Sequence, residues 1–258
     1  MPLFSIIVVS LNTKYQFLKT INSVTNQTYK KYEVIIVDGK STDGTINEIK
    51  KIKNKKFQFI IDKDKGIYDA MNKGVSKCSG KWVIFLNSGD MFFNKNVLKK
   101  ISKKKISQAD ILFGDTIIQN KYFNYNSKAK TFTKETFLMP FCHQSSLVKR
   151  NLLMKYRFDL KYKISSDFNF FINSYYKDYS FLNLNFTISK VTSGGLSDLN
   201  RKKVFQENMK IIKKYGYDKS YFIILYAIIW FDILKNLIKI LLPNYLNSFI
   251  YSIKYGKK

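Results

Sequence analysis

The stretch Trp82–Asp90, which reads WVIFLNSGD, decides the fold because it joins a buried strand to a polar turn. Its leading residues form a continuous apolar run, which is typical of a strand covered on both faces of a sheet. In open α/β sheets, ligands bind at the edge where such strands end. Gly89 in the turn would let a ligand approach the backbone, and Asp90 adds a carboxylate. The stretch therefore predicts a ligand site around Asp90.

Strand and helix signals alternate at short intervals between the N-terminus and this stretch. The predicted strands are Phe4–Ser10, Val34–Val37 and Phe57–Ile61, and the predicted helices are Tyr15–Val24, Ile67–Val75 and a segment after the capping sequence Thr42–Gly44. This alternation predicts a mostly parallel sheet with right-handed crossovers. Four acidic residues follow the strands, namely Asp38, Asp62, Asp64 and Asp90. Because parallel strands end at one edge of a sheet, we expect these acids to lie together there.

The second half of the chain predicts additional, antiparallel strands. A lysine-rich surface helix is expected over 94–105, strands over Ile111–Phe113, Thr116–Tyr125 and Phe181–Val191, a capped helix start at Ser165–Asp167, and a flexible loop at Thr192–Gly195. The predicted fold class is therefore α/β, with a central, mostly parallel sheet flanked by helices in one domain, residues 1–200.

Residues 201–258 are predicted to form a separate basic extension of amphipathic helices. The apolar run Tyr221–Phe231 is shorter than the roughly 18 charge-free residues that span a bilayer, so a transmembrane helix is not expected. Lys235 and Lys239 continue one helical stripe, which favours a helix in the membrane interface that faces anionic headgroups. An ordinary helix that packs on the domain or in a dimer interface is the alternative.

The composition of the 258 residues, 45% hydrophobic and 16% aromatic, predicts a folded core rather than disorder. The net charge of +27 is compatible with nucleic acid, an anionic membrane surface or a diphosphate substrate. Lysine supplies most of this charge, since arginine occurs only at Arg150, Arg157 and Arg201. Lysine is a poorer bidentate reader of bases and phosphates than arginine, so no nucleic-acid partner is expected.

The cysteine, histidine and N-terminal patterns indicate a cytoplasmic protein. Cys78 and Cys142 lack CxxC spacing and His143 is the only histidine, so a Cys/His metal site is not expected. Two reduced structural thiols are typical of a cytosolic protein. Residues 1–12 have no basic leader region, so they predict a first core strand rather than a signal peptide.

The four acids at the sheet edge would repel one another unless a positive group joined them. A divalent cation that bridges a diphosphate fits, because Mg²⁺ typically uses one or two protein carboxylates together with phosphate oxygens. Asp90 is the expected ligand, and the alternative is that it only caps the helix near Asn94. Asp38 is either a nucleobase or ribose contact or an ordinary turn residue.

Four closely spaced blocks carry a family resemblance. They are VSLN at Val9–Asn12, VDGKSTDGT at Val37–Thr45, DKGIYDAMNKG at Asp64–Gly74 and GKWVIFLNSGD at Gly80–Asp90. In this order they resemble the signature blocks of family 2 glycosyltransferases with the GT-A fold, in particular bacterial enzymes of colanic-acid, O-antigen and capsule assembly. Phe141–Gln144 and the pair Ser166-Asp167 extend the resemblance more weakly towards residue 200.

The resemblance implies a site that combines a nucleotide-sugar donor, a divalent cation and a catalytic base. It implies donor contacts at Ser10, Asn12, Asp38, Asp64, Gly66, Asp69, Asn87, Ser88 and Gly89, a Mn²⁺ or Mg²⁺ ligand at Asp90, the base at Asp167, and acceptor-side residues His143 and Gln144. Ser88 stands at the first position of the family's DxD motif, which predicts weaker metal affinity. Ser166 stands where the family has a glutamate before the base. Asp167 has an alternative role as a first-turn acid that interacts with the helix dipole.

The implied function is an inverting transfer of a sugar from a nucleotide-sugar, with a UDP-sugar favoured, to a glycan or lipid-linked saccharide in bacterial surface polysaccharide synthesis. The expected location is the inner face of the cytoplasmic membrane. A non-catalytic binding protein for anionic membrane or nucleic acid is one alternative. A nucleotidyltransferase is another, but it calls for a Gly-rich phosphate loop near the N-terminus, and Ser10–Lys14 contains no glycine.

Overall fold

One mixed sheet organises the molecule, and the computed structural model describes residues 2–120, 123–134, 136–216 and Ala227. The strands are β1 (Phe4–Ser10), β2 (Tyr32–Asp38), β3 (Phe57–Ile61), β4 (Trp82–Asn87), β5 (Met91–Phe92), β6 (Ile111–Gln119), β7 (Asn124–Ser127), β8 (Ser146–Lys149) and β9 (Phe181–Thr192). The helices are α1 (Lys14–Thr25), α2 (Thr45–Lys51), α3 (Ile67–Lys77), α4 (Val97–Ser102), α5 (Arg150–Lys155), α6 (Ser166–Tyr176), α7 (Leu196–Leu199) and α8 (Arg201–Ile212). Short 3₁₀ turns lie at His143–Ser145 and Lys213–Tyr215.

The first half of the sheet is parallel, as the alternation of strands and helices predicted. The strand order is β3-β2-β1-β4-β8-β6-β9-β5, with β7 paired to β6. The neighbours β3, β2, β1 and β4 run parallel, and Ser10 lies opposite Asp38 while Val9 lies opposite Asn87. The ends of β1, β2 and β4 therefore form one continuous edge.

The second half of the sheet is mixed. Strand β8 is antiparallel to both β4 and β6, β5 is antiparallel to β9, and β6 runs parallel to β9. The predicted break between Ile111–Phe113 and Thr116–Tyr125 is wrong, because β6 passes through Gly114 without ending. A Cβ atom at Gly114 would lie 2.5 Å from the carbonyl oxygen of Phe186, so this glycine allows β9 to approach closely. The register shifts here, and the glycine marks an irregular pairing rather than the end of a strand.

Two hydrophobic cores lie on opposite faces of the sheet. One contains residues of α3, α5, α6 and α8 packed against the sheet, with Met71, Leu153 and Phe171 fully buried. The other contains residues of α1, α2 and α4, with Phe17 and Ile49 at its centre. The predicted surface helix over 94–105 is shortened to α4, since Asn94 turns the chain by accepting a hydrogen bond from the backbone N–H of Asn96.

Helix α8 belongs to the same packed unit as the sheet. Ile211 and Ile212 are fully buried in the core that contains α6. The sequence predicted that the domain ends at residue 200. Because α8 contributes to the core, we propose that the domain boundary lies beyond Gly216. The amphipathic helices expected further along the chain lie outside the described residues. Within the described part of the chain, no helix has the length and apolar character needed to cross a membrane.

Candidate active site

Two loops at the carboxyl edge are tied together by a buried carboxylate. Asp38 ends β2 and is fully buried. It accepts hydrogen bonds of 2.7 Å from the Ser10 hydroxyl, the Ser41 hydroxyl and the Ser41 backbone N–H. Asp38 therefore holds the loop after β1 against the loop after β2, and its contact with a nucleobase or ribose stays a prediction.

Asn12 strengthens the same junction. It adopts a left-handed backbone conformation with φ of 52°, which asparagine tolerates better than most residues. Its backbone N–H donates to the Ser41 hydroxyl at 2.8 Å, and its side-chain oxygen accepts from the Thr42 backbone N–H at 2.7 Å. The predicted donor residues Ser10, Asn12 and Asp38 thus form one connected rim at the edge of the sheet.

The loop after β3 is shaped by its own acids. Asp64 accepts a 2.9 Å hydrogen bond from the backbone N–H of Gly66, whose φ of 116° suits only glycine. Asp69 accepts from the backbone N–H of Lys65 at 3.0 Å. These contacts fix the loop that precedes α3, so Asp64, Gly66 and Asp69 have a structural role, and their contact with the donor stays a prediction.

The expected cluster of four mutually repelling acids is not formed. Asp62 pairs with Lys73 at 2.9 Å, and Asp38 is enclosed by hydroxyl groups. Spacing separates Asp90 from Asp62 and Asp64, since β3 and β4 are three strand separations apart, roughly 15 Å. Among the described residues, no group of three or more His, Cys, Asp or Glu side chains could hold a metal ion.

The turn after β4 is held by a threonine that the sequence did not single out. The Thr20 hydroxyl on α1 accepts from the Gly89 backbone N–H at 2.9 Å and donates to the Asp90 carbonyl oxygen at 2.8 Å. Gly89 has a φ of 105°, so the turn requires glycine. The Asp90 side chain folds back to accept from the Asn87 backbone N–H at 3.2 Å. The helix-cap alternative for Asp90 is wrong, because α4 begins only at Val97.

Asp90 is an unusually basic carboxylate. Its burial, with 6% of its surface exposed, raises its pKa to about 7, although a hydrogen bond from Gln144 and the nearby His143 act to lower it. The Gln144 side-chain oxygen also accepts from the Cys142 thiol at 2.8 Å. Gln144, which the sequence assigned to the acceptor side, therefore connects to the carboxylate predicted to bind the metal.

Asp167 lies across the site in the first turn of α6. Its Oδ1 lies 2.8 Å from the Tyr68 hydroxyl, and its Oδ2 lies 3.5 Å from His143 Nδ1. Burial acts to raise the pKa of Asp167, but His143, Tyr68 and the Phe168 backbone N–H outweigh it, so the pKa lies below its ordinary value. Asp167 is therefore an ionised carboxylate that can accept a proton, and its first-turn position also suits the helix dipole.

Unpartnered polar atoms surround these two carboxylates. Asn87 Oδ1, Ser88 Oγ, His143 Nε2 and Ser166 Oγ are buried without a hydrogen-bond partner among the residues that the structure describes. A buried polar atom without a partner costs about 1–3 kcal/mol, so native proteins rarely leave one unpaired. Their concentration beside Asp90 and Asp167 indicates a place where a polar ligand supplies the missing partners.

The donor set suits a divalent cation that arrives with a diphosphate. Asp90 supplies one carboxylate, and the unpaired oxygens of Asn87 and Ser88 are neighbouring neutral donors. Mg²⁺ sites commonly combine one or two carboxylates with substrate phosphate oxygens. These residues therefore fit the metal that the sequence predicted, provided that the substrate completes the coordination shell.

Helix α8 supports the loop that carries Asp167, which the sequence did not predict. Glu207 is buried and accepts hydrogen bonds from the backbone N–H groups of Lys163, Ile164 and Ser165 at 2.9, 2.9 and 3.0 Å. These three groups lead directly into the first turn of α6. No local pattern could have revealed this contact, because the partners are 42 to 44 residues apart in the chain.

The fold defines the class of protein. Staphylococcus aureus TarS 1-349 in complex with UDP-GlcNAc superposes with a TM-score of 0.62 at 22% identity, over 86% of this chain and 69% of that one. The mannosyltransferase PcManGT of Pyrobaculum calidifontis, in complex with GDP-Man and Mn²⁺, gives a TM-score of 0.63 at 16% identity, over 88% and 68%. The architecture is thus that of GT-A glycosyltransferases, as predicted.

Residues 5–180 match the family described as glycosyl transferase family 2, and the chain belongs to this family. A PGL/p-HBAD biosynthesis glycosyltransferase of Mycobacterium bovis is 31% identical over 181 residues, which cover 67% of this chain and 70% of the relative. An uncharacterized glycosyltransferase of Methanocaldococcus jannaschii is 25% identical over 281 aligned residues, covering 99% of this chain and 95% of the relative. The protein is a glycosyltransferase, which confirms the resemblance seen in the sequence.

Proposed function

We propose that the protein is an inverting glycosyltransferase that transfers a sugar from a nucleotide-sugar, with a UDP-sugar favoured, to a glycan or lipid-linked saccharide acceptor. The observation that carries the proposal is the presence of two carboxylates, the buried Asp90 and the partly exposed Asp167, beside buried polar atoms that have no partner among the described residues. The complex of TarS with UDP-GlcNAc supports the choice of donor, and the relative named for PGL/p-HBAD biosynthesis supports a biosynthetic role for the transfer.

Asp167 has the properties of the general base. Its lowered pKa keeps it ionised at neutral pH, and it lies in a site with unpaired polar atoms. It would take the proton from an acceptor hydroxyl while the hydroxyl oxygen forms its bond to the anomeric carbon. The bond from that carbon to the diphosphate oxygen breaks on the opposite face, which inverts the configuration. A positioned base of this kind contributes on the order of 10²–10⁴-fold in rate.

Asp90 would hold the divalent cation together with the donor diphosphate, and Asn87 and Ser88 would offer their unpaired oxygens. Mn²⁺ or Mg²⁺, when bound, stabilises the negative charge that develops on the leaving nucleoside diphosphate. Because Ser88 stands in place of an aspartate, the protein offers the cation a single carboxylate. We therefore expect the cation to bind weakly unless the donor is present. His143 and Gln144 lie beside this arrangement on the side proposed for the acceptor.

The rim around Asp38 would enclose the nucleoside. Ser10, Asn12 and Asp38 fix the two loops at the ends of β1 and β2, and the loop with Asp64, Gly66 and Asp69 follows β3, the strand paired with β2. In parallel sheets this edge is the usual place for a nucleotide. Asn87, Ser88 and Gly89 would line the side of the same space that faces the diphosphate.

The tail of the chain would bring the enzyme to its acceptor. Residues 219–258 combine apolar runs with lysines, which suits attachment to an anionic membrane surface on the cytoplasmic side. We expect the full chain to float with liposomes that contain anionic lipid and a chain ending at residue 218 to stay behind. Equal flotation of both chains would rule out the tail as the attachment.

A thermal-shift panel tests the proposed donor and metal together. The protein is heated with UDP-, GDP- and dTDP-sugars, each with and without Mn²⁺, because a ligand that binds only the folded state raises the melting temperature. We expect the largest rise with a UDP-sugar plus Mn²⁺ and little effect of Mn²⁺ alone. A non-catalytic nucleic-acid binder would show no such rise and would instead bind duplex DNA in a salt-sensitive manner.

A further inference from the structure

His143 lies between the proposed base and the proposed metal ligand. Its ring is 8% exposed and packs edge-on against Phe85, with ring centroids 5.5 Å apart. A second ring, that of Phe158, lies 6.4 Å away. Its backbone belongs to a 3₁₀ turn, and its carbonyl oxygen accepts from the Ser146 hydroxyl at 2.7 Å. Packing and backbone therefore give the imidazole one orientation, with Nδ1 towards Asp167.

The two oxygens of Asp167 have different surroundings. Oδ1 accepts from the Phe168 backbone N–H at 2.9 Å and lies 2.8 Å from the Tyr68 hydroxyl, whose single proton is shared with the Ile164 carbonyl oxygen at 2.5 Å. Oδ2 faces only His143 Nδ1, at 3.5 Å, among the described residues. Oδ1 is therefore occupied by the protein, and Oδ2 is the oxygen with a lone pair left for a substrate proton. Hydrogen bonds at catalytic carboxylates are often long without substrate and shorten in the reactive complex.

We propose that His143 is a positioning residue, whose Nδ1–H holds Asp167 Oδ2 so that the remaining lone pair of that oxygen meets the acceptor hydroxyl. The proposal rests on the role of Asp167 as the base. The carboxylate neighbour selects the tautomer with the proton on Nδ1, since an acceptor oxygen requires a donor opposite it. His143 acts through Asp167, and Tyr68 anchors the other oxygen.

Three substitutions at this position separate positioning from packing and from direct substrate contact. Asparagine places an amide nitrogen where Nδ1 stands, whereas glutamine places one near Nε2. Phenylalanine fills the space without any donor. We expect His143→Asn to keep kcat within about threefold of the wild type, and His143→Gln and His143→Phe to lower it about 10–100-fold, since a small displacement of a reacting group costs up to about 10²-fold.

The readouts distinguish a misplaced base from a damaged fold. Positioning predicts that kcat falls while the KM for the donor and the melting-temperature rise with UDP plus Mn²⁺ stay at their wild-type values. Tyr68→Phe serves as the matched variant, because it removes the hydroxyl from Oδ1 and keeps the ring. We expect it to lower kcat as well, with the same unchanged donor binding.

Several results would overturn the proposal. If His143→Gln stayed active and His143→Asn lost activity, Nε2 would contact the substrate directly and positioning through Nδ1 would be wrong. If His143→Phe were as active as the wild type, the residue would have only a packing role. The variant Asp167→Asn tests the underlying function separately. If it kept full activity, Asp167 would not be the base. If it were inactive while His143→Phe stayed active, Asp167 would remain the base and only the positioning role of His143 would be wrong.

Discussion

The two edges of the sheet both carry buried carboxylates, yet they differ in what those carboxylates bind. At the amino edge, Glu33 on β2 is 8% exposed and is surrounded by donors from the protein. It accepts from the Ser5 hydroxyl at 2.6 Å, from the Ser79 hydroxyl at 2.9 Å and from the Gly80 backbone N–H at 3.0 Å. Every bond that this carboxylate needs comes from the chain itself.

At the carboxyl edge, the neighbours of Asp90 and Asp167 leave polar atoms without partners. Asn87, Ser88, His143 and Ser166 each carry such an atom within the described residues. The pKa values of the two buried acids differ in the same way. The hydrogen bonds to Glu33 outweigh its burial, so its pKa is lowered. Burial dominates at Asp90 and raises its pKa to about 7. A buried acid alone therefore does not mark a site, and the proposed site is distinguished by two acids that lie beside several unpartnered groups.

Asp167→Asn should produce the largest effect. Asparagine keeps the shape of the side chain but cannot take the acceptor proton, so kcat should fall on the order of 10²–10⁴-fold. Sugar transfer from a radiolabelled donor measures the loss, and the thermal shift with UDP plus Mn²⁺ should remain. Loss of both activity and donor binding would assign Asp167 a structural role, like that of Glu33.

Glu33→Ala should leave the reaction intact and weaken the fold. Removing the carboxylate takes an acceptor from the Ser5 hydroxyl and from the hydroxyl and backbone N–H of Ser79, and a donor left unpaired costs about 1–3 kcal/mol of unfolding free energy. Urea unfolding measures the change, with kcat at low temperature expected to match the wild type. Glu48→Ala, which breaks exposed pairs with Lys14 and Lys51, is the matched control and should change stability much less.

The same comparison predicts how Glu33 responds to acid. Its pKa is lowered in the folded protein, so its stabilisation is complete above the pKa of the unfolded chain and is lost as the pH falls through the folded value. The difference in unfolding free energy between the wild type and Glu33→Gln should therefore shrink below pH 4. A difference that stays constant down to acid pH would contradict the assignment.

Asp90 should make metal binding depend on pH. Because its pKa is about 7 without a cation, a metal must displace a proton below that pH. We expect the apparent affinity for Mn²⁺, measured in the presence of UDP, to fall up to about tenfold per pH unit below 7. Asp90→Asn should lose most of its activity and most of the stimulation of that activity by Mn²⁺. If Mn²⁺ still stimulated the variant, Asp90 would not be the metal ligand.

Without metal or donor, Asp90 should cost stability rather than supply it. A carboxyl group whose folded pKa is raised destabilises the protein as the pH rises from its ordinary pKa towards 7, because the folded state must ionise a buried group. Asp90→Asn should therefore stabilise the metal-free protein at pH 8 by about 1–3 kcal/mol. Calorimetry at pH 5 and pH 8 checks this, and a variant less stable than the wild type at pH 8 would contradict it.

The sequence by itself determined the parallel half of the sheet and predicted the edge at which we propose the site. Apolar runs such as Val34–Val37, followed by Asp38, report burial and the end of a strand, and both are local properties. The family blocks between Val9 and Asp90 predicted the GT-A architecture, which the solved structures confirm, and the alternation of elements predicted the edge at which Asp90 lies. These features need only the order of residues along the chain.

Only the tertiary structure decided which side chains meet. Tyr68 and Asp167 are 99 residues apart, and Glu207 reaches the loop before α6 from a helix that the sequence had placed outside the domain. The acids that were expected to cluster have separate partners, because strand order and strand spacing set their distances. Periodicity shows that a residue is buried or at an edge, but the partner of a buried polar atom depends on how distant segments pack, and this packing placed His143 between the two carboxylates.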